Sequence, residues 1–147
     1  MDREAAATCG KQCAASNLRK ASRAVTALYN ASLRPAGLLI TQFSILVALS
    51  AAGPLPLTRL AKALEMDRTT LTRNAAPLLR QGLTAETHGE DRRNRVLSIT
   101  EKGRRALERA FPLWKGAQER FTQDLGKERF RNLLSHLDLV RKTAHRE

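Results

Sequence analysis

Thr58-Arg59-Leu60-Ala61-Lys62-Ala63-Leu64, then Asp67-Arg68-Thr69-Thr70-Leu71-Thr72-Arg73-Asn74, then Gly82-Leu83, then Gly89-Glu90-Asp91-Arg92-Arg93-Asn94-Arg95: this run, within the stretch from Thr58 to Thr100, decides the fold. Thr58 opens a short helix to about Leu64, with Leu60, Ala61 and Leu64 on one face. Asp67 is a good N-cap for a second helix, Arg68 to Gln81, which Gly82 stops. Two short helices joined by a turn of about three residues have the spacing of a helix-turn-helix. Leu71 and Leu78 are expected to face the core, which leaves Arg68, Thr69, Thr72 and Arg73 outside. A helix laid in the major groove presents its first turns to base edges. Arg can bridge guanine O6 and N7, and Thr offers a hydroxyl and a methyl. An ordinary capped surface helix would carry the same pattern, so this segment alone does not decide function.

Past Gly82 the period changes. Leu83 to His88 and Arg95 to Thr100 read as two strands, with Val96, Ser98 and Thr100 alternating with Leu97 and Ile99. Between them Gly89 to Asn94 is a polar hairpin tip. Arg92, Arg93 and Arg95 crowd this turn, and like charges that close repel unless an anion comes to them. An arginine on a loop can enter the narrow, electronegative minor groove. Asp91 is placed to hold one guanidinium by a charge-assisted bond. A helix-turn-helix followed at once by a basic hairpin is far more specific than either part.

Outward from this centre the chain is helical. Leu18, Ala21, Val25, Leu28, Tyr29 and Leu33 recur at three- and four-residue steps from Gln12 onward, until Pro35 and Gly37. Residues 1–11 are small and polar and are expected to fray. Thr41 is the expected N-cap of a helix from Gln42 to Ser50, and residues 51–56 read as a break. Downstream, Leu107, Ala110, Phe111, Trp114, Ala117, Phe121 and Leu125 form one apolar stripe. Beyond Gly126, Phe130, Leu133, Leu134, Leu137 and Val140 form another. Trp114 and Tyr29 are read as packing residues. Apolar faces lying outside the helix-turn-helix core point to a homodimer.

The totals agree. The 147 residues carry 26 Lys and Arg against 14 Asp and Glu, a net charge of +12. That excess favours a polyanionic partner through counterion release; nucleic acid is the first candidate and an anionic membrane surface the second. No apolar run approaches the ~20 residues that span a bilayer. Met1 to Lys11 lacks the apolar stretch of a signal peptide, so a cytoplasmic location is expected. His88, His136 and His145 are scattered, and no catalytic triad, metal set or phosphate loop is readable. We therefore expect neither an enzyme nor a cofactor.

These segments resemble the MarR family of bacterial regulators: Asp67 to Asn74, Gly82-Leu83, Gly89-Glu90-Asp91-Arg92-Arg93, and Leu97-Ser98-Ile99-Thr100-Glu101-Lys102-Gly103. Leu33-Arg34-Pro35-Ala36-Gly37-Leu38 with Thr41-Gln42-Phe43 extends the likeness over nearly the whole chain. The resemblance implies a mainly α fold with a small β-hairpin: a winged helix-turn-helix lobe over residues 38–104 and a helical dimerisation lobe from 12–34 and 105–146, within one domain. It implies a dimer on a pseudo-palindromic operator in double-stranded DNA. The DNA-binding residues would be Arg68, Thr69, Thr70, Thr72, Arg73, Asp91, Arg92, Arg93 and Arg95, with Arg93 in the minor groove and Asp91 orienting it. It also implies a small aromatic or phenolic effector between the two lobes, and repression relieved by that effector.

Three positions depart from the pattern. Glu65 stands in the turn where similar proteins often have Gly, at a cost of roughly 1 kcal/mol if that residue is left-handed. Pro77 inside the recognition helix should loosen it locally. His88 is read as a solvated or phosphate-facing residue. Cys9 and Cys13, four apart near Lys11, Arg19 and Lys20, make a redox switch conceivable, as in related peroxide sensors. Cys13 lies about two residues earlier than such a sensor requires, and inert thiols are the better reading. A non-specific architectural DNA binder is the remaining alternative; the Thr/Arg face of the recognition helix favours sequence-specific binding.

Overall fold

The computed structural model describes residues 2–88 and 95–144. Among them the chain runs α1 (Arg3–Gln12), α2 (Ala14–Leu33), a 3-10 turn (Arg34–Ala36), α3 (Ile40–Ala52), β1 (Leu55–Pro56), α4 (Leu57–Ala63), α5 (Arg68–Arg80), β2 (Thr84–His88), β3 (Arg95–Ile99), α6 (Glu101–Leu125) and α7 (Lys127–Ala144). The strands form one antiparallel sheet in the order β1-β3-β2, with His88 opposite Arg95 and Thr84 opposite Ile99. No single helix among the described residues is long and apolar enough to cross a membrane.

The core is where the sequence pattern puts it. Leu33, Ile45, Leu46, Leu49, Leu60, Leu71, Leu78 and Leu97 are fully buried, where α3, α4, α5 and the sheet meet. Each such side chain stabilises the fold by about 1.5–3 kcal/mol relative to exposure. The helix α3 buries Phe43, Ile45, Leu46 and Leu49, and so serves as the post around which the others pack.

Three local expectations are corrected. The segment expected to fray contains α1 from Arg3 onward: Asp2 caps it by accepting from the Ala5 amide at 2.7 Å, although α1 buries none of its residues. Thr41 is not the cap of α3. That helix starts at Ile40, Gln42 Oε1 accepts from the Leu39 amide, and Asn30 Oδ1 accepts from the Ile40 amide. The Thr41 hydroxyl is free of the backbone and donates to Asn74 Oδ1 at 2.8 Å. The break over 51–56 contains β1, where Leu55 pairs with Leu97 and Pro56 with Val96, so the hairpin is part of a three-stranded sheet. The helix α5 runs through Pro77 to Arg80, so the proline does not end it. The ring removes one hydrogen bond, to the Arg73 carbonyl, and buried Ala75 and Leu78 on either side keep the helix seated.

The wing is joined to α6 by a tight junction. The Thr100 Oγ1 accepts from the Gly103 amide at 3.0 Å and donates to the Gly82 carbonyl at 2.8 Å. Lys102 Nζ donates to the Gln81 carbonyl at 2.7 Å, where a cation also suits the C-terminal end of α5. Only glycine fits at position 103, since a Cβ there would lie 2.0 Å from the Leu83 carbonyl oxygen. At its other half α6 packs on α2, with the buried Tyr29 hydroxyl donating to Gln118 Oε1. Burial pushes the Tyr29 phenol up from its ordinary pKa.

Candidate nucleic-acid interface

The helix-turn-helix is α4, the turn at 64–67, and α5. Three backbone bonds shape the turn: Leu64 to the Leu60 carbonyl, Glu65 to Lys62, and Met66 to Ala61. They force Glu65 into the left-handed region at φ 50°, the one non-glycine residue with positive φ among those described. The conformation that glycine would take without strain is held here by a glutamate.

Asp67 then caps α5, accepting from the Thr70 amide at 2.8 Å and from the Thr70 hydroxyl. These bonds, the hydroxyl first, hold the Asp67 carboxyl below its ordinary pKa. The inner face of α5 buries Leu71, Ala75 and Leu78. Its outer face exposes Arg68, Thr69 and Arg73, with Thr72 half-buried between them, and these four with Ala76 line a shallow surface groove. The Thr72 hydroxyl donates back to the Arg68 carbonyl at 2.8 Å. Both Thr70 and Thr72 thus commit their hydroxyl protons to the helix. Among the described residues Arg68 and Arg73 form no ion pair, so their guanidiniums are the donors left for an incoming acceptor.

Sequence reasoning missed the residue that sets the rotation of this face. Asn74 accepts from Thr41 on α3 and donates to the Thr70 carbonyl at 2.9 Å, pinning α5 to α3 at the residue next to Arg73. The signal was a polar residue at a position flanked by core leucines.

The wing is described only in part. Asp91, Arg92 and Arg93 lie outside the described residues, as does the side chain of His88. Arg95 is not one more open cation at the tip. Its Nε and Nη2 each donate to Glu86 across the hairpin at 2.6 Å. The bond to Glu86 raises the Arg95 pKa further above its ordinary value. Pairing His88 with Arg95 makes Glu86 and Arg95 diagonal neighbours, so the contact follows from the register.

Behind the interface, Ile40, Phe43, Ser44, Val47, Ala48, Leu64 and Trp114 line a cavity of about 290 Å³. Trp114 stacks on Phe43 with ring centroids 5.8 Å apart and tilts against Phe111 at 5.7 Å. It packs, as expected, and also forms a cavity wall. None of these lining residues is charged. The remaining expected site, Cys9 and Cys13, lies on and just after α1, with both thiols free. Among the described residues no group of His, Cys, Asp and Glu could hold a metal ion.

A helix-turn-helix with a polar outer face, joined to a winged sheet, is the architecture of a family of regulators, and the MarR family model matches residues 38–94. The M. tuberculosis transcriptional regulator MosR, solved in complex with DNA, is 36% identical with a TM-score of 0.79, over 91% of this chain and 99% of that one. The chain belongs to the MarR family. A second relative, the transcriptional repressor CouR bound to a 23-mer DNA duplex, is 30% identical with a TM-score of 0.78, over 87% of this chain and 92% of that one. CouR has also been solved bound to p-coumaroyl-CoA. An uncharacterized HTH-type transcriptional regulator of Bacillus subtilis (strain 168), YwoH, is 26% identical over 91 residues, 62% of this chain and 66% of that protein, just under two thirds of its length. This MarR-family chain is thus a transcriptional regulator by family.

Proposed function

We propose that this MarR-family regulator is a repressor that binds an inverted-repeat operator as a homodimer, and that a small aromatic or phenolic molecule releases it. The observation that carries the DNA reading is the outer face of α5, where Arg68 and Arg73 stand exposed while Leu71 and Leu78 anchor the helix. Arg68, Thr69, Thr70, Thr72 and Arg73 contact the major groove, the threonines through methyl groups and acceptor lone pairs. Arg93, oriented by Asp91 and flanked by Arg92, enters the minor groove; this assignment rests on the sequence. Arg95 acts through its bond to Glu86 by fixing the wing stem. The dimer reading is supported by α7, which buries none of its residues and exposes Leu134, Leu137, Leu139 and Val140. The effector reading is supported by the uncharged cavity that Phe43 and Trp114 help to line, and by CouR having DNA-bound and acyl-CoA-bound forms.

Footprinting on the DNA upstream of the protein's own gene, with light scattering, tests the proposal. A dimer should protect two symmetric half-sites centred roughly 10 base pairs apart. A monomer protecting one asymmetric half-site overturns the assembly, and equal affinity for scrambled DNA overturns sequence-specific repression. Trp114 is the chain's single tryptophan and reports on the cavity directly. A phenolic acid that quenches it should also release the operator; quenching with the operator still bound would remove the cavity from the control of DNA binding.

A further inference from the structure

The left-handed Glu65 has a partner far along the chain. Its Oε1 accepts from Arg141 Nη1 on α7 at 2.7 Å, while Arg141 Nη2 donates to Asp138 Oδ1 at 2.9 Å. Asp138 in turn holds Lys142 at 2.6 Å, one helical turn further on. The bonds from Lys142 and then Arg141 keep the Asp138 carboxyl below its ordinary pKa, so the carboxylate that orients Arg141 stays charged. Both side chains of the Glu65–Arg141 pair are about half exposed, at 53% and 54%. A pair that wet contributes little to folding. A glycine in the turn would avoid the strained backbone. The carboxylate is therefore not explained by stability.

We infer that Glu65 and Arg141 are positioning residues for DNA binding: a tether that fixes the helix-turn-helix turn against α7. The turn directly precedes Asp67, the cap of α5, so a shift of Glu65 shifts the first turn of the recognition helix. The apolar face of α7 is the surface proposed above for dimerisation, and this inference rests on that reading and on DNA binding. Through the tether, the helix that pairs the two protomers also sets the angle at which each presents Arg68 and Arg73.

The charges give the test its discrimination. If the two groups acted only through their fields on DNA, removing the carboxylate would raise affinity and removing the guanidinium would lower it. A tether predicts that Glu65→Gln and Arg141→Ala both lower operator affinity, by about three- to tenfold for two weak pairs per dimer. The double variant should lose no more than either single one, and the reversed pair Glu65→Arg with Arg141→Glu should recover most of the loss. Glu65→Gly should melt no lower than the parent, having shed the left-handed strain, yet bind the operator more weakly. Opposite signs for the two single variants, or full affinity in Glu65→Gly, would overturn the tether. A parent protein that binds no operator, or is a monomer, would instead point to failure of the underlying function.

Discussion

The helices α5 and α7 are both amphipathic, and they dispose of their faces in opposite ways. In α5 the apolar face is inside the chain, with Leu71 and Leu78 wholly buried, and the polar face is left for something outside. In α7 no residue is buried, and the apolar face itself is left for something outside. The unfinished side of each helix matches the partner proposed for it: a polyanion for the arginines of α5, another hydrocarbon surface for the leucines of α7. The T-shaped contact of Phe121 with Phe130, centroids 6.2 Å apart, folds α7 back on α6 but covers only its first turn.

The largest expected effect attacks the α7 side. Leu137→Glu, on the groove lined by Leu18, Leu134 and Val140, would place an unpaired carboxylate in the proposed dimer interface at a cost of several kcal/mol. It should dissociate or unfold the dimer and abolish operator binding together, as light scattering and footprinting would record. Arg73→Ala attacks the α5 side and should leave the melting temperature unchanged. It should weaken operator binding by about 1–3 kcal/mol and change the sequence recovered in a binding-site selection. An identical selected sequence would show that Arg73 does not read bases.

Acid gives the smallest effect. Because Asp67 has a depressed folded pKa, its cap contributes stability that is present above the ordinary aspartate range and lost as pH falls through the folded value. The protection factors of the first-turn amides of α5, corrected for the intrinsic pH dependence of exchange, should fall at acid pH in the parent and stay constant in Asp67→Asn.

The same contrast explains what could be read from the sequence. The α5 register, its Asp67 cap and its Gly82 stop are local signals, and each stands where expected. So do the stripes of α6 and α7 and the break at Gly126. What failed was set by distant partners. β1 is two residues long and contains Pro56, so nothing local distinguishes it from a turn; its identity comes from pairing with Leu97 and Val96. Thr41 has a capping side chain, but Asn30 and Gln42 already satisfy the amides at the start of α3, and Asn74 takes the hydroxyl. Arg95 read as part of a basic tip because its distance from Glu86 in sequence hid their adjacency across the hairpin. Glu65 was legible as an oddity, and only Arg141, 76 residues away, gives it a reason.

One long element connects the two ends of this contrast. The 25 residues of α6 leave the wing at Gly103, wedged on the Leu83 carbonyl, and reach α2 where Gln118 meets Tyr29. At 1.5 Å per residue the helix is about 37 Å long. A beam of that length multiplies angles: a tilt of about 5° at one end sweeps the other through about 3 Å, close to the ~3.4 Å step between base pairs. The wedge at Gly103 leaves almost no play where the beam meets the wing. In the dimer proposed above, angular error at the Tyr29 end would therefore arrive at the DNA undamped, as a misplacement of about one base pair per protomer.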